Sequence, residues 1–156
     1  MSVPQSKRSE GQLAVLDDLD HEIKEWMGIK GYVRYMDDFI LVHESKEHLE
    51  KCLETIAERL ADLGLELNMK KTKIQPISHG INFLGFTYKL TETGAVVMKL
   101  QKGKASKERR KLCKQSVSID PDKLDESYKS WRTFVSKGST YGLLYGMDCY
   151  YERLLK

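Results

Sequence analysis

The chain has 156 residues, of which 40% are hydrophobic and 31% charged, and its formal net charge is +3. This composition is typical of an ordinary soluble protein and excludes a largely disordered one, and the length suits one domain with or without a small appendage. No apolar run approaches the length of a membrane span and the polar N-terminus lacks a signal-peptide core, so we expect no membrane partner and no export.

The first third of the chain predicts two helices. We interpret residues 1–11 as a disordered leader. The next residues carry an apolar stripe at steps of three and four positions, which predicts a helix over residues 12–27; its members are Leu13, Leu16, Leu19, Ile23 and Trp26. Ser45 can cap a second helix, whose regular apolar stripe over residues 49–63 ends at Gly64.

Residues 31–42, between these helices, read GYVRYMDDFILV and are the most informative stretch. Strand-forming residues on both sides of a short polar break predict a β-hairpin with Asp37 and Asp38 at its tip. Two carboxylates on a rigid turn form a hard, oxygen-rich site of the kind that Mg²⁺ prefers, which suits nucleotidyl transfer. Aspartate is also a common solvated turn residue, so the hairpin alone leaves both interpretations open.

The remainder of the chain changes from strand signals to basic and helical ones. Strands are predicted at residues 65–67, 72–77, 81–90 and 95–100, separated by turn-forming residues. A basic run follows, opposed only by Glu108; it comprises Lys99, Lys102, Lys104, Lys107, Arg109, Arg110, Lys111 and Lys114. Asp120 and Pro121 then predict the start of a helix, and residues 140–155 a final one. The order of elements predicts an α+β architecture with a boundary near residues 100–105.

The cysteines and histidines show no metal-binding pattern. Cys52, Cys113 and Cys149 lie far apart, and we interpret them as reduced thiols of a cytoplasmic protein. The four histidines lack the spacing of metal ligands, so we assign them no chemistry.

Four short motifs follow one another along the chain. They are Tyr35-Met36-Asp37-Asp38, residues 65–72 (LELNMKKT), Phe83-Leu84-Gly85-Phe86, and Ser130-Trp131-Arg132 followed by GSTY at 138–141. In this order they resemble the YxDD signature, the next palm motif, the primer-grip hairpin and the thumb of the reverse transcriptases of group II introns, retrons and related bacterial retroelements. One four-residue match would be weak, whereas four in the correct order are a specific signal. The resemblance covers roughly residues 12–156.

The resemblance implies a fold and a catalytic site. Residues 12–100 would be a partial polymerase palm, an antiparallel sheet with packed helices, and residues 101–156 a small helical thumb. Asp37 would be a ligand of Mg²⁺, or of Mn²⁺ in its place, and Asp38 a supporting ligand. Lys71 would lie near the triphosphate and donate a proton to the leaving pyrophosphate. From the residues alone, a solvated charge cluster is the better explanation of Lys70, Lys71 and Lys73.

The resemblance also implies contacts with primer and template. These would be made by Tyr35, Met36, Phe83, Leu84, Gly85, Phe86, Lys102, Lys104, Arg109 and Arg110, with the basic residues neutralising phosphates. Without the resemblance, FLGF is more often a buried strand segment, and the basic run can equally be an exposed helix start. The aromatic residues Tyr128, Trp131, Phe134 and Tyr141 are predicted mainly as core of the helical region.

The chain departs from this family upstream of Tyr32, where nothing resembles the palm strand that carries another catalytic aspartate. Asp17, Asp18 and Asp20 lie in a predicted helix, which is the wrong geometry for that role. We therefore expect a truncated reverse transcriptase that is inactive alone. Its partners would be an RNA template, a DNA primer, deoxynucleoside triphosphates and a missing N-terminal half, and the edge of its hairpin would lack a strand neighbour.

Two alternatives remain open. The chain could be a noncatalytic RNA- or DNA-binding remnant, whose binding weakens with salt but does not depend on magnesium, or a subunit of a split polymerase. It could also be a small structural α+β protein in which the hairpin is only a turn.

Overall fold

The structure is a computed structural model that describes residues 10–155, with side chains from residue 16 onward. The chain divides between Gln75 and Pro76 into two units. The first unit contains helix α1 (Glu10–His21), a π-helical turn (Glu22–Trp26), strands β1 (Gly31–Tyr35) and β2 (Asp38–Val42), and helix α2 (Lys46–Asp62). The second contains a 3₁₀ turn (Ile77–His79), strands β3 (Ile81–Phe83), β4 (Phe86–Leu90) and β5 (Val96–Leu100), and helices α3 (Lys104–Ser118), α4 (Pro121–Val135) and α5 (Tyr141–Leu154).

This arrangement confirms the predicted α+β architecture. Strands β1 and β2 form a two-stranded antiparallel sheet, while β3, β4 and β5 form a three-stranded antiparallel sheet in that order. The predicted change from strands to helices near residues 100–105 falls within the second unit, between β5 and α3. No helix in the described part of the chain is long and apolar enough to cross a membrane.

The first predicted helix is present, with a change of geometry at its end. The predicted leader lies outside the described residues apart from Glu10 and Gly11, which begin α1. The segment Glu22–Trp26 winds as a π turn, in which the amide of Met27 donates to the carbonyl of Glu22 at 3.0 Å. A π turn contains more residues than an α turn and therefore shifts the helical periodicity. Trp26, which the apolar stripe placed on the buried face, is accordingly 82% exposed, so this part of the prediction is wrong.

The core of the first unit lies between α1, the hairpin and α2. Ile23, Ile56 and Leu60 are fully buried, and Phe39 of β2 belongs to the same cluster. Burial of each such side chain contributes about 1.5–3 kcal/mol. The inner face of the hairpin is thus fixed by apolar packing against helices.

The helix ends follow the signals in the sequence. The Ser45 hydroxyl accepts a hydrogen bond from the amide of His48 at 3.1 Å and caps α2. Gly64, with φ of +68°, follows the end of that helix. Asp120 accepts from the amide of Asp122 at 3.0 Å and caps α4, with proline at the first helical position. All three predicted signals are confirmed.

Two predicted strands, at residues 65–67 and 72–77, are wrong, because the structure has no strand in either segment. The leucines of the first segment pack against the core of the first unit. A turn follows, in which the carbonyl of Asn68 accepts from the amides of Lys71 and Thr72, at 2.9 Å each. The apolar pattern correctly indicated burial, but a strand also needs a hydrogen-bonding partner, and the described strands form no ladder here.

The core of the second unit lies among its three helices. Leu112, Tyr128 and Met147 are buried there, and the ring of Tyr128 stacks on that of Tyr151 with centroids 4.2 Å apart. The three-stranded sheet of this unit contacts the helices through Phe86, whose ring centroid lies 4.9 Å from that of Phe134 in α4.

The prediction that the aromatic residues of the helical region are mainly core holds only in part. Tyr128 is buried and Trp131 half-buried, whereas Phe134 is 38% exposed. Tyr141 is 88% exposed, which contradicts the prediction for this residue. Its spacing matches the buried stripe of α5, but it is the first residue of that helix and lies beyond the packed stretch.

Asp148 of α5 ties this helix to α4. It accepts hydrogen bonds from the Tyr128 hydroxyl at 2.6 Å and from two guanidinium nitrogens of Arg132, at 2.8 and 3.0 Å. The hydrogen bonds from Arg132 lower the pKa of Asp148 below its usual value. The motif Ser130-Trp131-Arg132 therefore contributes a residue that holds two helices together.

The hydrogen bonds of Asp148 should make the free energy of unfolding depend on pH in the acid range. Because the folded-state pKa lies below the usual pKa of an aspartate, this carboxylate stabilises the fold above that usual value and loses its contribution as the pH falls through the folded pKa. We expect Asp148→Asn to lower the free energy of unfolding at neutral pH, and the difference from wild type to shrink below about pH 4. Urea unfolding followed by circular dichroism at several pH values measures this. Asp62→Asn, at an exposed position of α2, is the control; a difference that stays constant into the acid range would contradict the assignment.

Two glycines provide a matched test of packing in the second unit. A Cβ on Gly138 would lie 2.8 Å from the carbonyl oxygen of Met98 and 2.9 Å from the ring of Phe86, whereas one on Gly142 would meet nothing within 4 Å. We expect Gly138→Ala to destabilise the protein by about 1–3 kcal/mol, because the backbone must shift. Gly142→Ala, at the second position of α5, should stabilise it by up to about 0.5–1 kcal/mol, since alanine loses less backbone entropy than glycine on entering a helix. Urea unfolding distinguishes these opposite signs, and equal effects would show that this packing is not tight.

Candidate functional site

The predicted carboxylate hairpin is confirmed, and its turn has an unusual backbone. Met36 and Asp37 are the two turn residues, and Asp38 begins β2 opposite Tyr35. Met36 has φ of +56°, the positive φ that the first position of a two-residue hairpin turn of type I′ or II′ requires. Such turns match the twist of the flanking strands, but glycine usually occupies the first position, and a side chain there costs roughly 1–2 kcal/mol.

The two faces of the hairpin differ. Residues paired across the hairpin share a face, and successive residues of a strand alternate between faces. Phe39 and Tyr32 therefore lie on the inner face, while Asp38 lies on the outer face with Tyr35 and Val33. Both carboxylates are half-buried, whereas Tyr35 and Met36 are 52% and 51% exposed. The tip therefore presents acidic groups beside exposed apolar and aromatic side chains. This is compatible with the predicted contact of Tyr35 and Met36 with a primer end, which stays a prediction.

Behind the tip, Arg34 of β1 links the hairpin to α1. Its Nε donates to both oxygens of Asp20 at 2.8 Å, and its Nη2 to Asp17 at 2.8 Å. Its Nη1 donates to the carbonyl of Met36 in the turn at 3.3 Å. The Tyr32 hydroxyl also donates to Asp20, at 2.5 Å. The guanidinium thus reaches from the helix to the turn.

The pKa values of two residues in this network shift in the directions that their contacts predict. The hydrogen bond to Asp20 raises the pKa of Arg34. Burial, followed by the hydrogen bond to Asp20, raises the pKa of Tyr32. Sequence reasoning noted the aspartates of the predicted helix but missed their partner. A signal was available, since acidic residues three apart lie on one helix face and Arg34 is the one charged residue in β1.

Lys71 lies in the first unit, in the turn after α2. Its amide donates to the carbonyl of Asn68 at 2.9 Å, as does that of Thr72, and the Thr72 hydroxyl donates to the same oxygen at 3.1 Å. The Lys71 side chain is exposed. Its position near a triphosphate remains a prediction.

In the second unit, the segment Phe83-Leu84-Gly85-Phe86 forms a tight hairpin turn, not one continuous strand over 81–90. Leu84 and Gly85 have φ of +46° and +89°, the pattern of a type I′ turn. The amide of Gln101 donates to the carbonyl of Gly85 at 3.1 Å. Phe86 is buried and Leu84 is 42% exposed. The predicted glycine turn is confirmed, and its place under a primer stays a prediction.

Part of the basic run lies at this turn. A Cβ on Gly85 would be 3.5 Å from the ammonium of Lys104, at the start of α3. The side chains of Lys102, Lys104 and Arg110 are exposed. The turn and the start of α3 therefore lie together, in what we call the turn–helix surface and define by Leu84, Gly85 and Lys104.

Arg109 has a different environment. Its guanidinium lies over the ring of Tyr150, 5.3 Å from the centroid, and its Nε is 3.3 Å from the sulfur of Met147. Lys111 pairs with the buried Glu108 at 3.1 Å. Arg109 and Lys111 thus have side-chain partners within the second unit, although both remain exposed to solvent.

The carboxylate oxygens at the hairpin tip can supply some, but not all, of the ligands of a divalent cation. Among residues 10–155, no group of three or more histidine, cysteine, aspartate and glutamate residues is placed to hold a metal ion. Mg²⁺ is often bound by one or two carboxylates together with substrate phosphates. Asp37 and Asp38 fit that kind of site, because both offer hard oxygen ligands on one turn.

Comparison with known proteins gives a consistent result. Residues 13–88 match the family described as reverse transcriptase (RNA-dependent DNA polymerase). Protein P of duck hepatitis B virus (strain Germany/DHBV-3) is 38% identical over 52 residues, 33% of this chain and 6% of the viral protein. Protein P of ground squirrel hepatitis virus (strain 27) is 42% identical over 53 residues, 34% of this chain and 6% of that protein. The chain therefore matches a small part of the length of these relatives.

Proposed function

We propose that this chain, whose residues 13–88 match the reverse transcriptase family, contributes a catalytic hairpin to RNA-templated DNA synthesis. The observation that carries the proposal is the pair Asp37 and Asp38 at a rigid hairpin tip inside the matched region. The substrates would be an RNA template, a DNA primer and deoxynucleoside triphosphates. The four motifs in their order support a protein of the group II intron or retron type.

In this proposal the tip residues have separate roles. Asp37 and Asp38 would hold Mg²⁺, or Mn²⁺ in its place, and Lys71 would donate a proton to the leaving pyrophosphate. When bound, the metal supplies positive charge for the attacking and leaving oxygens of the displacement. Tyr35 and Met36, both half-exposed at the tip, would offer shape contacts to the primer end.

The set of ligands also leads us to propose that the chain does not act alone. The resemblance implies a further catalytic aspartate on another palm strand, and the described residues contain no group of three side chains placed to hold a metal ion. We propose that a further polypeptide segment supplies the missing ligand. Primer extension should then require that segment as well as this chain.

We expect the turn carboxylates to control metal affinity. Asp37→Asn replaces a charged ligand with a neutral amide, and should weaken Mn²⁺ binding by about tenfold or more, since even outer-shell partners of a metal contribute factors of that size. Mn²⁺ titration followed by electron paramagnetic resonance measures the affinity of the full chain. Asp62→Asn removes an equal charge from an exposed position on α2 and is the control. Equal affinity in Asp37→Asn and wild type would discard the assignment.

A second function, binding of nucleic acid without catalysis, is favoured by one observation. The turn–helix surface brings the exposed Leu84 together with the ammonium of Lys104 beside a tight backbone turn. Phosphate contacts of this kind add affinity that is independent of sequence and strongly dependent on salt. This function would not need Asp37 or a metal.

We expect Lys104→Gln to weaken binding to an RNA–DNA duplex and to reduce the slope of log affinity against log salt by about one. Fluorescence anisotropy of a labelled duplex over about 50 to 200 mM salt measures this slope. Lys129→Gln is the control, because Lys129 is exposed on α4 and pairs with Asp125 at 2.6 Å. If both variants bind like wild type, the turn–helix surface does not contact phosphate. Binding that persists unchanged in Asp37→Asn without metal would favour the noncatalytic function.

A further inference from the structure

The side chain of Arg34 has an arrangement that a simple ion pair does not require. It is 16% exposed and carries donors in a planar fork. Nε and Nη2 bond to the two aspartates of α1, while Nη1 is directed at the carbonyl of Met36. One guanidinium thus contacts both the helix and the turn that precedes Asp38.

We propose that Arg34 is a positioning residue, which holds the Met36 turn in its left-handed conformation and so sets the direction of the Asp37 carboxylate. This inference rests on the proposed function, because it concerns the same turn. It adds a residue outside the YxDD motif to the parts that shape the site.

The helix provides the fixed end of this arrangement. Leu19, between the two aspartates in sequence, is 4% exposed and belongs to the core of the first unit. Asp20 is held from a second side by the Tyr32 hydroxyl. The position of the Arg34 guanidinium is therefore determined by the packing of α1 and by the two carboxylates.

The backbone conformation of the turn needs stabilising contacts. A residue other than glycine with φ of +56° is unfavourable, and such conformations persist only when surrounding contacts determine them. The hydrogen bond from Nη1 to the carbonyl of Met36 acts on the peptide group between the strained residue and Asp37. A lysine at position 34 could pair with Asp20, but its single ammonium cannot reproduce the planar fork to helix and turn.

The decisive experiment compares Arg34→Met with Arg59→Met in the full chain. Arg59 of α2 likewise pairs with an acidic residue, Glu22 in the π turn after α1, at 3.0 Å. It therefore controls for the loss of an arginine–carboxylate pair in the same unit. The first readout is the three-bond HN–Hα coupling and ¹³Cα shift of Met36, which report its φ without any metal. The second is Mn²⁺ affinity by electron paramagnetic resonance.

We expect Arg34→Met to change the Met36 signals and to weaken Mn²⁺ binding by about tenfold, the size typical of an outer-shell residue. Arg59→Met should leave both unchanged. Adding Met36→Gly to Arg34→Met should restore most of the Mn²⁺ affinity, because glycine adopts positive φ without strain; adding Met36→Ala should not. A residue that only ties β1 to α1 would show no such rescue.

The outcomes separate the two proposals. If Arg34→Met leaves the Met36 signals and the Mn²⁺ affinity as in wild type, the positioning role is overturned. If Met36→Ala restores affinity as well as Met36→Gly does, strain at this residue is not what Arg34 controls, and the inference fails. If wild type and Asp37→Asn bind Mn²⁺ equally, the proposed function fails, while the Met36 signals still decide the role of Arg34. Should Arg34→Met not fold, Arg34→Lys carries the same expectations, because it keeps the charge beside Asp20.

Discussion

The one-sided burial of the β1–β2 hairpin is the constraint on which the first unit depends. A two-stranded ribbon is marginal by itself in water, so it needs a surface to pack on. Phe39 provides the contact by joining Ile23 and Ile56 in a core that two helices complete. With the inner face fixed in this way, register places Asp38 on the opposite face, and the turn projects Asp37 beyond the strands. Presentation of the carboxylates is therefore a result of apolar packing.

Local signals predicted the features that depend on local physics. The caps at Ser45 and Asp120, and the turn of the β1–β2 hairpin, follow from neighbouring residues alone and agree with the structure. The turn at Gly85 was implied by the resemblance, whereas the residues alone indicated a strand. Features that depend on a distant partner were missed. Residues 65–67 looked like a strand because they alternate, yet no strand pairs with them. The bond between Arg34 and Asp20 joins residues 14 apart in sequence, and helical periodicity shows only that Asp17 and Asp20 share a face, not that they contact β1.

The predicted site residues differ in how their environment constrains them. Arg109 looked equivalent to Arg110 in sequence, but it packs on Tyr150 of α5, as a planar cation commonly does on an aromatic ring. Lys104 lies beside the Gly85 turn instead. Charge counting along a helix cannot separate these cases, because the distinction depends on which face meets the neighbouring helix. Arg109 and Arg110 are both exposed, and the position of each on α3 decides whether its guanidinium lies over an aromatic ring.

The division into two units has a consequence for spectroscopy. The chain has two tryptophans, Trp26 in the first unit and Trp131 in the second. Trp131 is half-buried, with its ring near that of Tyr128, whereas Trp26 is largely in solvent. Emission from Trp131 therefore reports on the helical unit, and a Trp26→Phe variant isolates that signal. Intrinsic fluorescence can follow one half of the molecule while the other half is silent, so a melting curve from this probe need not describe the hairpin that carries the carboxylates.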